Sequence, residues 1–202
     1  MNISILGTGR VAFTLAAALT GAGHVVILGS RTRRGVSNDV PVFSSREAVE
    51  RADLVINATQ GAGSLELLTA IGAEAFGSKT VIDVANANTE AFDLIYPNSS
   101  LGEKLQEALP EARIVKTMNT AAMPVMTSPT SLPEASSVFV SGDDDAAKAQ
   151  AASLLLDLGW SAESIIDLGG IRTARGVEHY FLFFASLMQV KKTPLFNIRV
   201  VS

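Results

Sequence analysis

Apolar residues along this chain fall into short solid blocks, separated by segments in which they recur every three to four positions. The first block, Ile3 with Ile5 and Leu6, suits a central strand buried on both faces. Val11, Leu15, Ala18 and Leu19 then keep helical spacing, which predicts a helix beginning near Arg10 with one apolar face. A second strand is predicted over 24–28 and a short third at Pro41-Val42-Phe43, after which Ser44-Ser45 cap a helix running to Glu50. A fourth strand covers 53–58. A helix follows from Ser64 to about Phe76, with Leu65, Leu67, Leu68 and Ile71 in phase and Gly77 as its stop. Residues 80–84 form a fifth strand, 100–109 an amphipathic helix ended by Pro110, 112–116 a sixth strand and 137–140 a seventh. A helix with an acidic first turn spans 143–158, a last short strand lies at 164–167, and a long terminal helix runs from Ile171 to about Lys191. Strands that alternate with helices predict an α/β fold, doubly wound around a mostly parallel sheet, with a C-terminal helical extension. No internal repeat or low-complexity linker divides the chain, so residues 1–202 are expected to form a single domain.

The turn after the first strand carries the first candidate chemistry. Gly7-Thr8-Gly9-Arg10-Val11-Ala12 reads as strand, glycine turn and helix start, the Rossmann-type arrangement that holds a dinucleotide pyrophosphate. Gly7 permits the tight turn, and Gly9 lacks the Cβ that would block the pyrophosphate. The free N–H groups of the helix near Arg10 and Val11 would point at the phosphates. Ala12 stands at the third position of the fingerprint, which allows alanine. After the second strand comes Gly29-Ser30-Arg31-Thr32-Arg33-Arg34, with no Asp or Glu between His24 and Asn38. An acidic residue for a ribose 2′-hydroxyl is therefore replaced by a serine and arginines, which suits the 2′-phosphate of NADP(H). Ser30 and Arg31 stand nearest that position; Arg33 and Arg34 compete for the next contact.

Composition narrows the field. Charged residues are only 18% of the 202 and apolar residues 48%, enough for a substantial core. A net charge of −4 argues against nonspecific nucleic-acid binding. The absence of cysteine excludes disulfides, thiolate metal sites and a cysteine nucleophile; with no secretory signal at the start, a cytoplasmic location is expected. Mean hydropathy is positive. Even so, the longest apolar stretch, residues 180–188, falls far short of the roughly 20 residues a membrane span needs.

Ligands of such a sheet bind beyond the carboxyl ends of its strands. Three small, polar loops fall there: 59–63, 85–88 and 118–120. Ala58, Thr59, Ala85 and Asn86 join the glycine turn as candidate cofactor-binding residues, because small groups there admit a flat ring.

The chain as a whole resembles the F420-dependent NADP reductase family of dinucleotide-binding oxidoreductases. The likeness runs through Gly7-Thr8-Gly9, Gly29-Ser30-Arg31, Val81-Ile82-Asp83, Val115-Lys116 to Asn119-Thr120, and Gly142-Asp143-Asp144-Asp145. It ends with Asp167-Leu168-Gly169-Gly170 followed by Arg172, Arg175 and Glu178. The oxidoreductase domain of the ferric-reductase membrane proteins is similar too. The resemblance implies hydride transfer between NADP(H) and a deazaflavin, coenzyme F420, or a flavin-type acceptor, with both rings stacked at the strand ends. It implies Thr8, Ser30, Arg31 and Arg34 for NADP and Asn119 and Thr120 for the second ring. Hydride transfer asks the protein mainly for oriented ring contact and water exclusion, consistent with the lack of an evident catalytic dyad. Two residues depart from the family pattern: Ala87 stands where a proline is frequent, and Gln60 replaces a bulkier apolar residue.

Other chemistry is weaker. His24 reads as a turn residue and His179 as a solvated or interface residue, and two distant histidines make no metal site. Asp143, Asp144 and Asp145 read as helix-capping carboxylates. Ser64 and Ser153 lack any nucleophile-elbow context. Tyr180, Phe181, Leu182, Phe183, Phe184, Leu187 and Met188 cover nearly every face of the terminal helix, so 170–192 is expected to pack against a second copy in a homodimer. Two other readings stay open: a non-catalytic NADP(H)-binding redox sensor, and a reductase of a small imine or carbonyl compound.

Overall fold

The computed structural model describes residues 1–32, 35–37 and 39–201. Among these, nine strands form one sheet in the order β3-β4-β2-β1-β5-β6-β7-β8-β9. The strands are β1 (Asn2–Leu6), β2 (Val25–Ser30), β3 (Gly35–Ser37), β4 (Val40–Ser44), β5 (Leu54–Asn57), β6 (Thr80–Asp83), β7 (Arg113–Thr117), β8 (Val138–Ser141) and β9 (Ile165–Asp167). The strands from β4 to β7 in that order are parallel, with Ile5 opposite Leu28 on one side and opposite Ile56 on the other. Strand order runs outward in both directions from the β1–β5 junction. Sheets of this kind leave a ligand crevice at such a point. β3 is an antiparallel edge on β4, and β8 runs antiparallel to β7 with β9 parallel beside it. The fold is the expected doubly wound, mostly parallel α/β type, extended by antiparallel strands at both margins.

Eight α-helices are described: α1 (Arg10–Gly21), α2 (Ser45–Glu50), α3 (Gly61–Ile71), α4 (Ala73–Phe76), α5 (Leu101–Ala108), α6 (Met123–Thr127), α7 (Asp145–Asp157) and α8 (Ala174–Lys191). Strand alternation divides the core in two. Ile3 and Ile5 join one cluster with α1, α6 and α7 residues, while Leu6, Val55 and Val81 join the other with α3 and α5 residues. The buried stripe of α1 is Ala12, Leu15, Ala16 and Leu19. Val11 stands at the stripe's margin, where it lines the cleft described below.

The structure departs from expectation at several elements. The helix placed at 64–76 begins at Gly61 and is broken at Gly72, whose φ of 96° lies in the left-handed region. Neither β3 nor α6 is anticipated: β3 is too short to show a period, and α6 holds only five residues. α7 starts two residues beyond Asp143. Asp144 caps it by accepting from the Ala147 N–H at 2.7 Å, whereas Asp143 accepts from the Ile171 N–H at 2.9 Å. No described helix is long and apolar enough to cross a membrane.

α8 is not enclosed by its own chain. Ala174, Val177 and Glu178 are buried, but Leu182 is 44% exposed, Phe183 55% and Met188 38%.

Candidate functional site

Two adjoining hollows lie over the β1–β5 junction. The first, a cleft of about 650 Å³, is walled by the glycine turn, the end of β2 and the start of α3. Gly7 has a φ of +123°, and a Cβ there would lie 2.7 Å from the Ala58 carbonyl oxygen, so the turn accepts only glycine. A Cβ at Gly9 would meet nothing within 4 Å: it would project into open space. Gly9 is also the N-cap of α1 and supplies no side-chain bond to the helix. The orphan N–H groups of the first turn therefore face the cleft uncapped, an arrangement that fits a pyrophosphate. The cleft runs on past Thr8, Arg10 and Val11 to Ser30 and Arg31. Ser30 is buried and accepts from the Thr32 N–H at 3.3 Å, while Arg31 is exposed on the rim. Arg34 and Arg33 lie outside the described residues.

The second hollow, about 290 Å³, shares Val11, Ala58, Thr59 and Gln60 with the first. Its other walls are the loop after β6, the loop after β7, and Phe181 and Phe184 of α8. Ala85, Asn86 and Asn119 line it; Thr120, only 3% exposed, lines neither hollow. Asn86 and Asn119 clasp each other on the wall of the hollow. The Asn86 amide donates to the Asn119 carbonyl at 2.8 Å, and the Asn119 amide donates back to Asn86 Oδ1 at 2.9 Å. Asn119 Nδ2 also donates to the Val177 carbonyl at 2.9 Å, tying α8 to this loop. Met118, just before, holds a φ of 59° while almost fully buried. Backbone held in this region by its surroundings is a recurrent feature of ligand sites.

Beneath the second hollow lies a charge network to which the sequence motifs assign no role. Lys116 is wholly buried and its Nζ lies 2.8 Å from Asp83 Oδ2 and 3.0 Å from Glu178 Oε1, while also donating to the Ala85 carbonyl. Asp83 and Lys116 are register partners on adjacent strands. Asp83 Oδ1 accepts from Asn57 Nδ2 at 2.8 Å and from the Ala85 N–H at 3.2 Å. Asn57 Oδ1 in turn accepts from the Thr59 hydroxyl at 2.7 Å, so the network reaches the wall that both hollows share. Glu178 accepts from the Leu101 and Gly102 N–H groups at 2.8 and 3.1 Å, capping α5 from a distance. Burial pushes the Asp83 carboxyl above its ordinary value, against the pull of Lys116. Burial works to lower Lys116, but Asp83 and Glu178 outweigh it and hold the ammonium above its usual range. A signal does exist in the sequence: an ionisable residue directly follows two apolar ones in each of two strands, Val81-Ile82-Asp83 and Ile114-Val115-Lys116.

Fold and site together define a dinucleotide-binding α/β oxidoreductase. Residues 2–87 match the family described as NADP oxidoreductases, coenzyme F420-dependent. The structure of a candidate F420-dependent NADP-reductase from Arthrobacter sp. FB24 is 38% identical, superposes with a TM-score of 0.93 and is covered in full, as is this chain. The chain belongs to this family and is an NADP-dependent oxidoreductase. A hypothetical protein from Sinorhizobium meliloti is 24% identical with a TM-score of 0.69, covering 86% of this chain and 88% of its own. A Plasmodium falciparum pyrroline carboxylate reductase with NADP bound is 16% identical with a TM-score of 0.60, over 96% of this chain and 70% of that one. Both of these likenesses speak for the fold alone. Comparison with curated proteins gives no match.

Proposed function

We propose that this enzyme passes hydride between NADP(H) in the first cleft and a deazaflavin, coenzyme F420, in the second hollow, with a flavin as the nearest alternative acceptor. The observation that carries the reading is the continuity of the two hollows, which share Val11, Ala58, Thr59 and Gln60. Bound NADPH supplies the hydride; the protein's part is to bind, orient and exclude water. The uncapped turn at Gly9 holds the pyrophosphate, and Ser30 and Arg31 meet the 2′-phosphate. Ala58, Thr59 and Ala85 are small enough to leave a planar ring its full face. Asn86 and Asn119, fixed by their mutual hydrogen bonds, stand at the ring edge, and Phe181 and Phe184 form an apolar cover that keeps water from the transfer path. This apportioning needs no side-chain acid or base at the reacting carbon. The family description and the candidate reductase of Arthrobacter support the deazaflavin over other acceptors. The reaction is proposed as cytoplasmic, in keeping with a chain that lacks cysteine.

The test is absorbance at the deazaflavin band with purified protein, NADPH and oxidised coenzyme F420, against a control without protein. Protein-dependent bleaching with NADPH and none with NADH is expected. Bleaching absent while NADPH still binds would discard the deazaflavin and direct the search to flavins.

A further inference from the structure

We propose that Lys116 is a positioning residue that sets the shape of the second hollow by fastening its loop wall and its helical wall to one buried point. The proposal rests on the reading that this hollow takes the acceptor. Three elements meet at the Lys116 ammonium: the Ala85 carbonyl begins the loop wall, Asp83 ends β6, and Glu178 belongs to α8. The loop is held twice, since Asp83 Oδ1 also accepts from the Ala85 N–H. α8 is likewise fastened at two consecutive residues, Val177 through Asn119 and Glu178 through Lys116. From that anchor, Phe181 and Phe184 follow at helical spacing on the same face, where they line the hollow. Beyond Phe184 most of the helix is exposed, so its N-terminal turns seat it, while Phe92 stacked on Phe181 and Phe196 packed on Phe184 hold the two rings from outside.

The chemistry favours positioning over plain stabilisation. A buried ammonium between two carboxylates recovers little net stability, because desolvation offsets most of the attraction. Replacing the whole network by apolar groups is frequently neutral, whereas removing one member leaves a buried charge unpaired and destabilises. The network does have directional demands. Glu178 uses both oxygens as acceptors, for Lys116 and for two helix N–H groups, and nothing but a carboxylate meets all three. Gly102 allows the start of α8 to close on α5, since a Cβ there would lie 3.2 Å from Ile171 Cδ1 and 3.3 Å from Ala174 Cβ. The arrangement specifies one seat for α8 and tolerates few others.

Two variants test it, Glu178→Gln and Lys116→Met. Each is assayed for NADPH binding by fluorescence titration, for acceptor KM and kcat with coenzyme F420, and for hydrogen exchange by mass spectrometry. The expected result is an acceptor KM raised about tenfold or more, with kcat at saturation changed by less than about twofold. NADPH affinity should fall by a clearly smaller factor than the acceptor's, since Ala85 and Asn86 are also candidate cofactor contacts. Exchange should quicken over 85–88 and α8 and stay unchanged over β1 and α1. A folded Glu178→Gln protein with unaltered acceptor KM and unaltered local exchange overturns the proposal, as does equal loss of both ligands. Failure of both variants to fold overturns it too, assigning the network to stability. If the unmodified protein does not turn over coenzyme F420, the acceptor reading falls, and the exchange pattern alone decides the role of Lys116.

Discussion

Arg31 sits on the cleft rim directly after β2, exposed and able to swing onto a ligand. A guanidinium meeting a phosphate forms charge-assisted bonds, and NADH has no phosphate at that position. Arg31→Ala should weaken NADPH binding about tenfold or more while leaving NADH binding nearly unchanged, measured by fluorescence titration. Equal losses for both nucleotides would remove Arg31 from 2′-phosphate recognition. Gly61 makes a different demand. A Cβ there would lie 2.0 Å from the Asn86 carbonyl oxygen, a contact that backbone must move to relieve. Alanine is the better helix former by about 1 kcal/mol, yet overpacking against backbone costs about 1–3 kcal/mol. Gly61→Ala is therefore expected to lower the denaturant midpoint and to displace the loop that walls the second hollow. A raised midpoint would show that the Asn86 loop yields freely.

At the scale of elements, caps decide where helices begin. Ser44 accepts from the Glu47 N–H, and Ser100 accepts from the Glu103 N–H while donating to the Glu103 carboxylate. Both follow the serine–x–x–glutamate pattern of a capping box, a signature carried by the order of residues alone. Glu103 also takes two bonds from the Arg175 guanidinium, at 2.8 and 2.7 Å, which joins α5 to α8. That bonding holds the Glu103 carboxyl below its ordinary value near 4.5. A depressed carboxylate contributes stability that is complete above its unfolded value and is lost as pH falls through the folded one. Glu103→Gln should therefore lower Tm at neutral pH, and the deficit should shrink once pH drops below about 4.5. A deficit that stays constant down to about pH 3 would mean that Glu103 acts only through packing.

The whole molecule leaves α8 half covered. Leu182, Phe183 and Val190 are exposed within one broad face of it, and an apolar strip of that kind facing water calls for a partner. A homodimer formed through α8 is expected, with light scattering at micromolar concentration giving twice the chain mass. Phe183→Glu should shift the population towards monomer. A monomer for the unmodified protein under those conditions would end the expectation.

The parallel order of the central strands, the glycine turn, the serine caps and the basic residues after β2 are all legible in the chain. Each is a local property, set by the period of apolar side chains or by the conformation that one short segment must adopt. The break at Gly72 is harder to read, because apolar spacing continues through it towards Phe76 and only the positive φ marks the end of the first helix. The family resemblance pairs Thr120 with Asn119 as ligands of the second ring; the turn buries both, and of the two Asn119 lines the hollow, a distinction that spacing does not encode. The meeting of Asp83, Lys116 and Glu178 belongs to the tertiary structure alone. These residues lie far apart in the chain, and their charges become costly, and therefore directional, only when the sheet, α5 and α8 close over them and exclude water.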